Sequence, residues 1–337
     1  MIRRVAIALA AVCALGAVAA GAGLLHFHAW SEQPLHQDDA PRTIEIPRGT
    51  SVQGIAARLE AEGLLEYPLY LRIQARLQGI AARLQSGEYA VPAGMTPPEL
   101  LERMARGQVI QHRFTLVEGR TFKQLRAALE ANPKITNTLI GKDDGVVMEA
   151  LGAPDLHPEG RFLPETYSFA RGTRDVDILR RALHAMQAEL EKAWSDRRDD
   201  LPLEGPEDAL ILASIIERET GAPEERARVA GVFIRRLEKG MRLQTDPTVI
   251  YGMGDAYDGR IRTRDLRTDT PYNTYTRHGL PPTPIAMPGT ASLRAAVNPE
   301  PGEALYFVSR GDGTHVFSRT LEEHNRAVRR YILGEDE

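Results

Sequence analysis

Cysteine is nearly absent from this sequence, because Cys13 is its single example and lies inside a long apolar run. No disulfide can form within the chain, so its stability must come from packed cores. The sequence also lacks Gly-x-Ser-x-Gly, His-Glu-x-x-His, Cys-x-x-Cys and phosphate-loop motifs, and its nine histidines show no metal-ligand spacing. We therefore expect no metal and no cofactor. Carboxylate chemistry is favoured, and a serine or histidine site assembled from distant positions stays open.

The chain also lacks a strong excess of one charge. It has 42 Lys and Arg residues against 46 Asp and Glu residues, a net charge of -4 at pH 7. The arginines are scattered rather than gathered in a basic tract, which predicts no nucleic-acid partner. With 337 residues and 42% hydrophobic content, the sequence has enough material for two ordinary cores. We expect two domains.

The N-terminal residues have the pattern of a membrane anchor. Arg3 and Arg4 precede an uncharged, mostly apolar run from Val5 to Leu25, which as a helix is about 31 Å long. Positive charges flanking an anchor stay on the cytoplasmic side. The sequence thus predicts a cytoplasmic tail at residues 1–4, a transmembrane anchor at residues 5–25, and an exported body.

Two further features qualify this N-terminal region. Ala17–Ala22 offers small residues for processing, so a cleaved signal peptide is the alternative to a retained anchor. Residues 26–41 contain two prolines and no apolar periodicity, which is typical of a flexible connection. We interpret this segment as a tether between the membrane and the first domain.

Three segments after the tether share one pattern: an alternating strand, a glycine turn and the start of a helix. They are Thr43–Val52, Gly87–Thr96 and Arg113–Phe122, with candidate helix N-caps at Thr50, Ser51, Thr96 and Thr121. The pattern resembles LysM modules, which bind the N-acetylated sugars of cell-wall glycan. A generic strand–helix unit repeated around one shared core is the alternative. The first two copies predict an accessory domain, and the third begins the next domain.

One apolar helix, Leu210–Thr220, carries two glutamates in different surroundings. At about 100° per residue its isoleucines form one stripe, and Glu219 projects from the middle of that stripe, whereas Glu217 points the opposite way. A carboxyl in a core-facing stripe must be paired, neutral, or placed where the core opens into a cleft. The last case suits a general acid, which makes Glu219 the candidate. The alternative is a frayed helix end that reaches solvent near Gly221.

The spacing of apolar and turn residues predicts further elements of the second domain. They are helices at Asp177–Trp194 and Glu224–Lys239, a short hydrophobic strand within Met241–Gly252, a rigid loop at Gly279–Gly289, a hairpin of Ala304–Ser309 with Thr314–Ser318, and a final helix opened by a capping box at Thr320–Glu323. Amides, hydroxyls and tyrosine rings gather in Met241–Gly252 and Pro271–Tyr275. Such side chains suit sugars, which present hydroxyls at their edges and C–H groups on their faces.

Four of these segments carry a family resemblance. Ala-Ser-Ile-Ile-Glu-Arg-Glu-Thr at 213–220 is followed by Arg-Leu-Gln-Thr-Asp-Pro-Thr at 242–248, Tyr-Asn-Thr-Tyr at 272–275 and Gly-Leu-Pro-Pro at 279–282. In this order they resemble the YceG-like family of endolytic murein transglycosylases, over essentially the whole chain. The family's catalytic glutamate is the second of the Glu-x-Glu pair, which is Glu219 here. One departure is Glu165, where the family usually has aspartate, so no role is assigned to it.

The resemblance implies an α+β fold with an N-terminal transmembrane helix, a LysM-like domain at residues 42–110 and a catalytic domain at 111–334. It implies cleavage of the β-1,4 bond between N-acetylmuramic acid (MurNAc) and N-acetylglucosamine (GlcNAc), leaving 1,6-anhydro-MurNAc ends, and a role in ending strand elongation. Glu219 is the implied catalytic residue, with Gln244, Thr245, Asp246, Asn273 and Tyr275 as sugar-binding candidates. The implied partners are glycan strands and penicillin-binding proteins, with the body in the periplasm and the anchor in the inner membrane.

Two alternatives belong to other functional classes. A muramidase-type hydrolase needs a second carboxylate besides Glu219, and Asp246 or Glu165 are the candidates. A non-catalytic glycan-binding scaffold needs only the LysM-like copies and leaves Glu219 a structural role. The mass of the product ends distinguishes a lytic cut from a hydrolytic one.

Overall fold

The computed structural model describes residues 2–219 and 221–335, and the chain divides into two compact units. The first unit comprises Met1–His112 and Phe169–Gly172, and the second comprises Arg113–Ser168 and Thr173–Glu337. Each unit combines helices with short two-stranded sheets. The mixed α+β class predicted from the sequence is confirmed.

The chain starts with one long helix, α1 (Ile2–Glu32). Its large apolar residues point outward: 58% of Val5, 68% of Val12 and 75% of Leu25 are exposed. Exposed apolar side chains in such a row require cover from outside the protein. By length and composition, Arg3–Glu32 qualifies as a helix that could cross a membrane.

The first unit is built on one antiparallel pair of strands. In chain order its elements after α1 are β1 (Arg42–Ile46), α2 (Val52–Ala61), α3 (Pro68–Leu77), β2 (Gly87–Val91) and α4 (Pro97–Ala105). Strand β1 pairs with β2, so that Ile44 lies opposite Tyr89. Alternate residues of both strands are buried against α2, α3 and α4. Helix α3 has no counterpart in the elements predicted from the sequence.

Residues 26–41 differ from the tether expected there. Helix α1 continues to Glu32, and Trp30 and Leu35 are buried in the core of the first unit. The His36 ring lies 2.6 Å from the Val91 carbonyl oxygen. The aromatic residues Phe27 and Trp30 stand three positions apart and pack together, a spacing that the polar residues around them obscure in the sequence.

The second unit starts within β3 (Gln111–Thr115). Its further elements are α5 (Phe122–Glu130), β4 (Ile135–Thr136), α6 (Asp144–Leu151), β5 (Thr166–Ala170), β6 (Thr173–Arg174), α7 (Asp175–Ser195), α8 (Pro206–Glu219), α9 (Arg226–Glu238), α10 (Asp246–Met253), α11 (Thr263–Arg267), α12 (Thr290–Val297), β7 (Tyr306–Ser309), β8 (His315–Ser318) and α13 (Leu321–Val328). The sheets pair β3 with β5, β4 with β6, and β7 with β8.

Helix α8 is the centre of this unit. Every residue from Ala209 to Ile216 is buried, because α7, α9, α10 and α12 all pack against the helix. The loop at Gly279–Gly289 covers it as well, since Ser214 Oγ accepts the Ile285 N–H at 3.0 Å. Leu210, which interrupts the stripe of the helical wheel, is therefore also a core residue.

The three strand–turn–helix copies are confirmed as β1–α2, β2–α4 and β3–α5. Ser51 caps α2 by accepting the Gly54 N–H, and Thr121 caps α5 by accepting the Gln124 N–H. Thr50 belongs instead to the preceding turn, where its hydroxyl donates to the Pro47 carbonyl oxygen. The first two copies share a sheet, whereas the third pairs with β5.

The predicted helices and the C-terminal hairpin are confirmed, but the strand expected within Met241–Gly252 is wrong. Residues Asp246–Met253 form α10, with Thr245 at the N-cap and Pro247 in the first turn. Proline at this position lacks only a hydrogen-bond donor that the helix does not use. Two of the β-branched residues that suggest a strand, Thr248 and Val249, are instead on the buried face of this helix.

Candidate active site

Glu219 is the last residue of α8, where the buried helix reaches the wall of a cavity of about 430 Å³. Its carboxyl is partly buried, and burial is the main reason why its pKa is raised from 4.5 to about 7. The nearby Asp246 raises this pKa further, whereas a hydrogen bond from Thr245 and the charge of Arg236 oppose the rise. About half of these carboxyls therefore carry a proton near pH 7.

Thr245 fixes one oxygen of this carboxyl, because its hydroxyl donates a short hydrogen bond to Glu219 Oε1. Thr245 is only 1% exposed, and its own N–H donates to Thr274 Oγ1 at 3.1 Å. The Thr248 hydroxyl in turn donates to the Thr245 carbonyl oxygen at 2.7 Å. Since Oε1 accepts from Thr245, the acid form of Glu219 holds its proton on Oε2.

The wall of the cavity combines polar and aromatic side chains. Its lining consists of Glu219, Arg236, Leu243, Gln244, Asp246, Tyr275, Tyr306, Phe307, Val308, Ser309, His315, Leu321 and His324. Hydroxyl, amide and carboxyl groups bind sugar hydroxyls, and aromatic faces cover sugar C–H groups. The composition of the wall thus suits a carbohydrate chain.

Three of the predicted sugar-binding residues line this cavity. The Tyr275 hydroxyl donates to Asp246 Oδ1 at 2.6 Å, so both side chains are held in place. Gln244 is exposed and has φ of +49°, the left-handed region that a residue with a side chain rarely adopts. A strained backbone of this kind persists where the surrounding structure enforces it, often at a binding site.

The other two predicted sugar-binding residues are buried and act on the protein itself. Thr245 contacts Glu219, as described above. Asn273 is 1% exposed, and its amide donates to the carbonyl oxygens of Asp265, Leu266 and Thr268 while its Oδ1 accepts the Tyr275 N–H at 2.8 Å. Its polar groups are occupied by the loop before Tyr275, which indicates a positioning role.

Glu217 has a different position from Glu219, as the helical wheel predicts. Its Oε2 accepts the Gly289 N–H at 3.0 Å and the Ser292 hydroxyl at 2.7 Å. These donors lie at the N-terminus of α12, where a negative charge is favoured. Glu217 is therefore a structural carboxylate that joins α8 to α12.

Among the second-carboxylate candidates, Asp246 lies in the cavity wall, whereas Glu165 does not contribute to its lining. Glu165 is exposed, and its carbonyl oxygen accepts the Leu116 N–H at 3.0 Å. Within residues 2–219 and 221–335, no group of three His, Cys, Asp or Glu side chains is arranged to hold a metal ion.

The sequence reasoning missed two basic side chains of the cavity, Arg236 and His315. Arg236 of α9 is 7% exposed, and its guanidinium donates to the carbonyl oxygens of Leu305 and Leu243 at 2.7 Å each. Its position is three residues after Phe233, on the apolar stripe of α9, which is the signal that could have identified it. His315 lies in β8, where no local pattern distinguishes it from other hairpin residues.

The fold and the site define a class of α+β protein with a carboxyl of raised pKa in the wall of a polar cavity. Residues 44–330 match the YceG-like family, and the chain belongs to that family. It is 32% identical over 324 residues to a Bacillus subtilis (strain 168) protein named endolytic murein transglycosylase, with 90% of this chain and 89% of the relative covered.

Two further comparisons agree with this membership. A Streptococcus pneumoniae serotype 2 (strain D39 / NCTC 7466) protein of the same name is 26% identical, with 86% of this chain and 58% of the relative covered. A 2.6 Å crystal structure of a yceG-like protein from Listeria monocytogenes is 29% identical, with a TM-score of 0.53 and coverage of 86% of this chain and 100% of that chain. The family resemblance of the sequence motifs is thereby confirmed.

Proposed function

We propose that this protein is a peptidoglycan lytic transglycosylase that cuts the β-1,4 bond between MurNAc and GlcNAc with Glu219 as its acid–base group. The observation that carries the proposal is the raised pKa of Glu219, about 7, at the wall of a polar cavity. General acids work best when their pKa lies near the working pH. Relatives that match most of this chain are named endolytic murein transglycosylases, which supports the same reaction class.

The reaction needs one proton-transfer carboxyl because the nucleophile belongs to the substrate. Glu219 Oε2 donates its proton to the glycosidic oxygen as the bond from that oxygen to C1 of MurNAc breaks. The 6-hydroxyl oxygen of the same MurNAc bonds to C1, and its proton returns to Glu219. The products are a free GlcNAc 4-hydroxyl and a 1,6-anhydro-MurNAc end, with no water consumed.

The side chains around Glu219 support this chemistry by holding it in place. Thr245 keeps Oε1 occupied, so that Oε2 faces the reaction as the proton-bearing atom. Gln244, Asp246 and Tyr275 lie in the same wall and are the side chains that we assign to sugar contacts. Asn273 acts through the loop that carries Tyr275.

We assign membrane attachment and glycan binding to the N-terminal regions. The exposed apolar face of α1 supports a single-pass anchor in the inner membrane, with residues 1–4 in the cytoplasm and the body in the periplasm. Residues 42–110 are the proposed LysM-like glycan-binding domain, and their shared β1–β2 sheet and core support treating them as one domain. A membrane-anchored lytic transglycosylase beside penicillin-binding proteins would end the elongation of nascent glycan strands.

A muramidase-type hydrolase is the second candidate, because Asp246 lies in the same cavity as Glu219. Hydrolysis would add one water to each cut, whereas the lytic reaction adds none. The test is mass analysis of fragments released from purified murein by the purified protein. The proposal expects ends lighter by one water than hydrolytic ends, and hydrolytic ends throughout would replace it with the second candidate.

A further inference from the structure

His315 lines the same cavity as Glu219, but the mechanism proposed above, in which Glu219 makes both proton transfers, does not use it. His315 lies at the start of β8 and contributes to the same cavity wall. Its side chain is only 11% exposed, and its ring packs edge-to-face on Phe307, with centroids 5.4 Å apart. A confined imidazole beside a carboxyl of raised pKa is a candidate for proton transfer.

Glu225 sets the orientation of this imidazole. Its Oε2 lies 2.6 Å from His315 Nδ1, and its Oε1 accepts the His315 backbone N–H at 3.0 Å. Because a carboxylate only accepts hydrogen bonds, Nδ1 carries the hydrogen and Nε2 holds the lone pair of the neutral ring. Throughout the described part of the chain, no hydrogen bond occupies Nε2.

The contacts of Glu219 show why a second group is useful. A single carboxyl must reach the glycosidic oxygen as an acid and the 6-hydroxyl as a base, and each transfer needs a distance of about 2.6–3.2 Å. The Thr245 hydroxyl holds Glu219 Oε1, so the carboxyl cannot swing between the two positions without losing that bond.

We propose that His315 is the proton relay of this site, an inference that rests on the lytic reaction proposed above. As O6 of MurNAc bonds to C1 and the bond from C1 to the leaving oxygen breaks, Nε2 takes the proton of the 6-hydroxyl while Glu219 gives its proton to the leaving oxygen. The resulting imidazolium is paired with Glu225. It then passes its extra proton to the Glu219 carboxylate, which restores both groups.

The test compares rates of anhydro-MurNAc release from murein by the full chain and three variants. His315→Gln removes the base and retains a polar side chain, and His315→Ala leaves space for added imidazole. Glu225→Gln removes the charge and leaves one acceptor oxygen for the two N–H groups of His315 that Glu225 binds. We expect a loss of roughly 10²-fold or more for both His315 variants, partial rescue of His315→Ala by imidazole, and a loss of roughly 10-fold for Glu225→Gln. Circular dichroism melting checks that each variant folds.

Three results would overturn the relay. The first is a cleavage rate of His315→Gln within about threefold of the parent rate. The second is a loss of activity in folded His315→Ala that added imidazole does not reverse. The third is a Glu225→Gln variant with the cleavage rate and pH profile of the parent chain. The reaction class is tested separately, because the parent chain itself must release anhydro ends. If the parent chain releases hydrolytic ends, the proposed function is wrong. If the His315 variants release anhydro ends at the parent rate, only the relay is wrong.

Helix α3 of the first unit has an exposed apolar face. Leu69, Ile73 and Leu77 stand four residues apart on one face and are 57%, 37% and 72% exposed. The opposite face buries Leu71 and Ala75 in the core. Helix α3 thus carries an uncovered apolar stripe, which requires a partner or a surface.

The surroundings of this stripe point to a lipid surface. The sequence has no acidic residue between Glu66 and Glu88, whereas Arg72, Arg76 and Arg83 lie in that interval. The Tyr70 ring of α3 packs on the rings of Phe27 and Trp30, with centroids 5.3 and 5.5 Å apart. These two residues follow directly on the apolar run of α1, so α3 lies where the proposed anchor leaves the membrane.

We infer that α3 rests on the membrane, with its apolar stripe between lipid headgroups and its arginines on anionic phosphates. An arginine-containing helix with one apolar face suits this interface. The inference rests on the proposed anchoring by α1. Its consequence is that the first unit contacts the membrane through both α1 and α3.

The single cysteine allows a direct test. The full chain with Cys13→Ser is reconstituted in vesicles containing phosphatidylglycerol, labelled with a fluorophore at Ile73→Cys, and quenched by brominated lipids. Val12→Cys reports the anchor, and Glu102→Cys reports an exposed, charged position of α4. We expect several-fold stronger quenching at Ile73 than at Glu102. If Ile73 and Glu102 are quenched equally while Val12 is quenched strongly, α3 does not contact the membrane. If Val12 is not quenched, α1 is not a membrane anchor.

Discussion

Replacing Glu219 with glutamine removes the transferable proton and retains the shape of the side chain. Its amide oxygen can still accept the Thr245 hydroxyl. We expect the rate of anhydro-MurNAc release to fall by roughly 10²–10⁴-fold, the range for loss of a general acid–base group. The matched control is Glu217→Gln in the same helix, which retains an acceptor for Gly289 N–H and Ser292 and should retain most activity.

The same substitution has an effect on stability that depends on pH. The pKa of Glu219 is about 7 in the folded chain against 4.5 when exposed, because burial disfavours the ionised form. One pKa unit corresponds to about 1.4 kcal/mol, so the folded parent chain loses at most about 3 kcal/mol of stability as pH rises from 4.5 through 7. The sign follows from the raised pKa, since the folded state binds the proton more tightly than the unfolded state. Glutamine does not titrate and avoids this loss.

Denaturant unfolding of the parent chain and the Glu219→Gln variant at pH 4.5 and pH 8 measures this difference. The free energy of unfolding of the variant minus that of the parent should increase with pH by up to about 3 kcal/mol. The other carboxyl with pKa near 7, Glu159, is present in both chains and cancels. A difference independent of pH would show that Glu219 is not desolvated, and equal activity losses in the Glu217 and Glu219 variants would remove Glu219 from its catalytic role.

Four further predictions follow from individual contacts. Thr245→Val should raise the Glu219 pKa further and slow cleavage by about 3–10-fold, because one hydrogen bond to the carboxyl is lost; an unchanged rate and pH profile would contradict this. Glu159 is 3% exposed, and burial raises its pKa to about 7. In denaturant unfolding, Glu159→Gln should therefore be more stable than the parent at pH 8, and this gain in stability should be smaller at pH 4.5. Deletion of Pro41–Gly107 should weaken retention on insoluble murein in a pull-down, and unchanged retention would favour the generic strand–helix interpretation. N-terminal sequencing of the membrane fraction should find Val5–Leu25 intact, whereas a start near Ala20 would indicate a cleaved signal peptide.

The position of Glu219 could be predicted from the sequence, whereas the positions of the side chains around it could not. Helical periodicity singled out Glu219 because the apolar residues before it predict the buried helix that places it. It separated Glu219 from Glu217 for the same reason, and the structure gives these two carboxyls the different surroundings expected. The strand expected within Met241–Gly252 is wrong because the strand preference of β-branched residues depends on their surroundings, and Pro247 in the first turn favours the start of a helix, α10.

The sequence by itself determined the elements, the apolar N-terminal helix, the three strand–turn–helix copies and the position of Glu219, since each of these depends on residues within a few turns of one another. Only the tertiary structure decided which groups share the cavity with Glu219. Arg236 and His315 meet it there because α9 packs against α8, and β7 of the β7–β8 hairpin packs against α9. It also decided that Asn273 serves the loop rather than the cavity, because its amide is filled by three backbone carbonyls. Local periodicity reports which face of an element is buried, but the packing of distant elements determines which side chains meet.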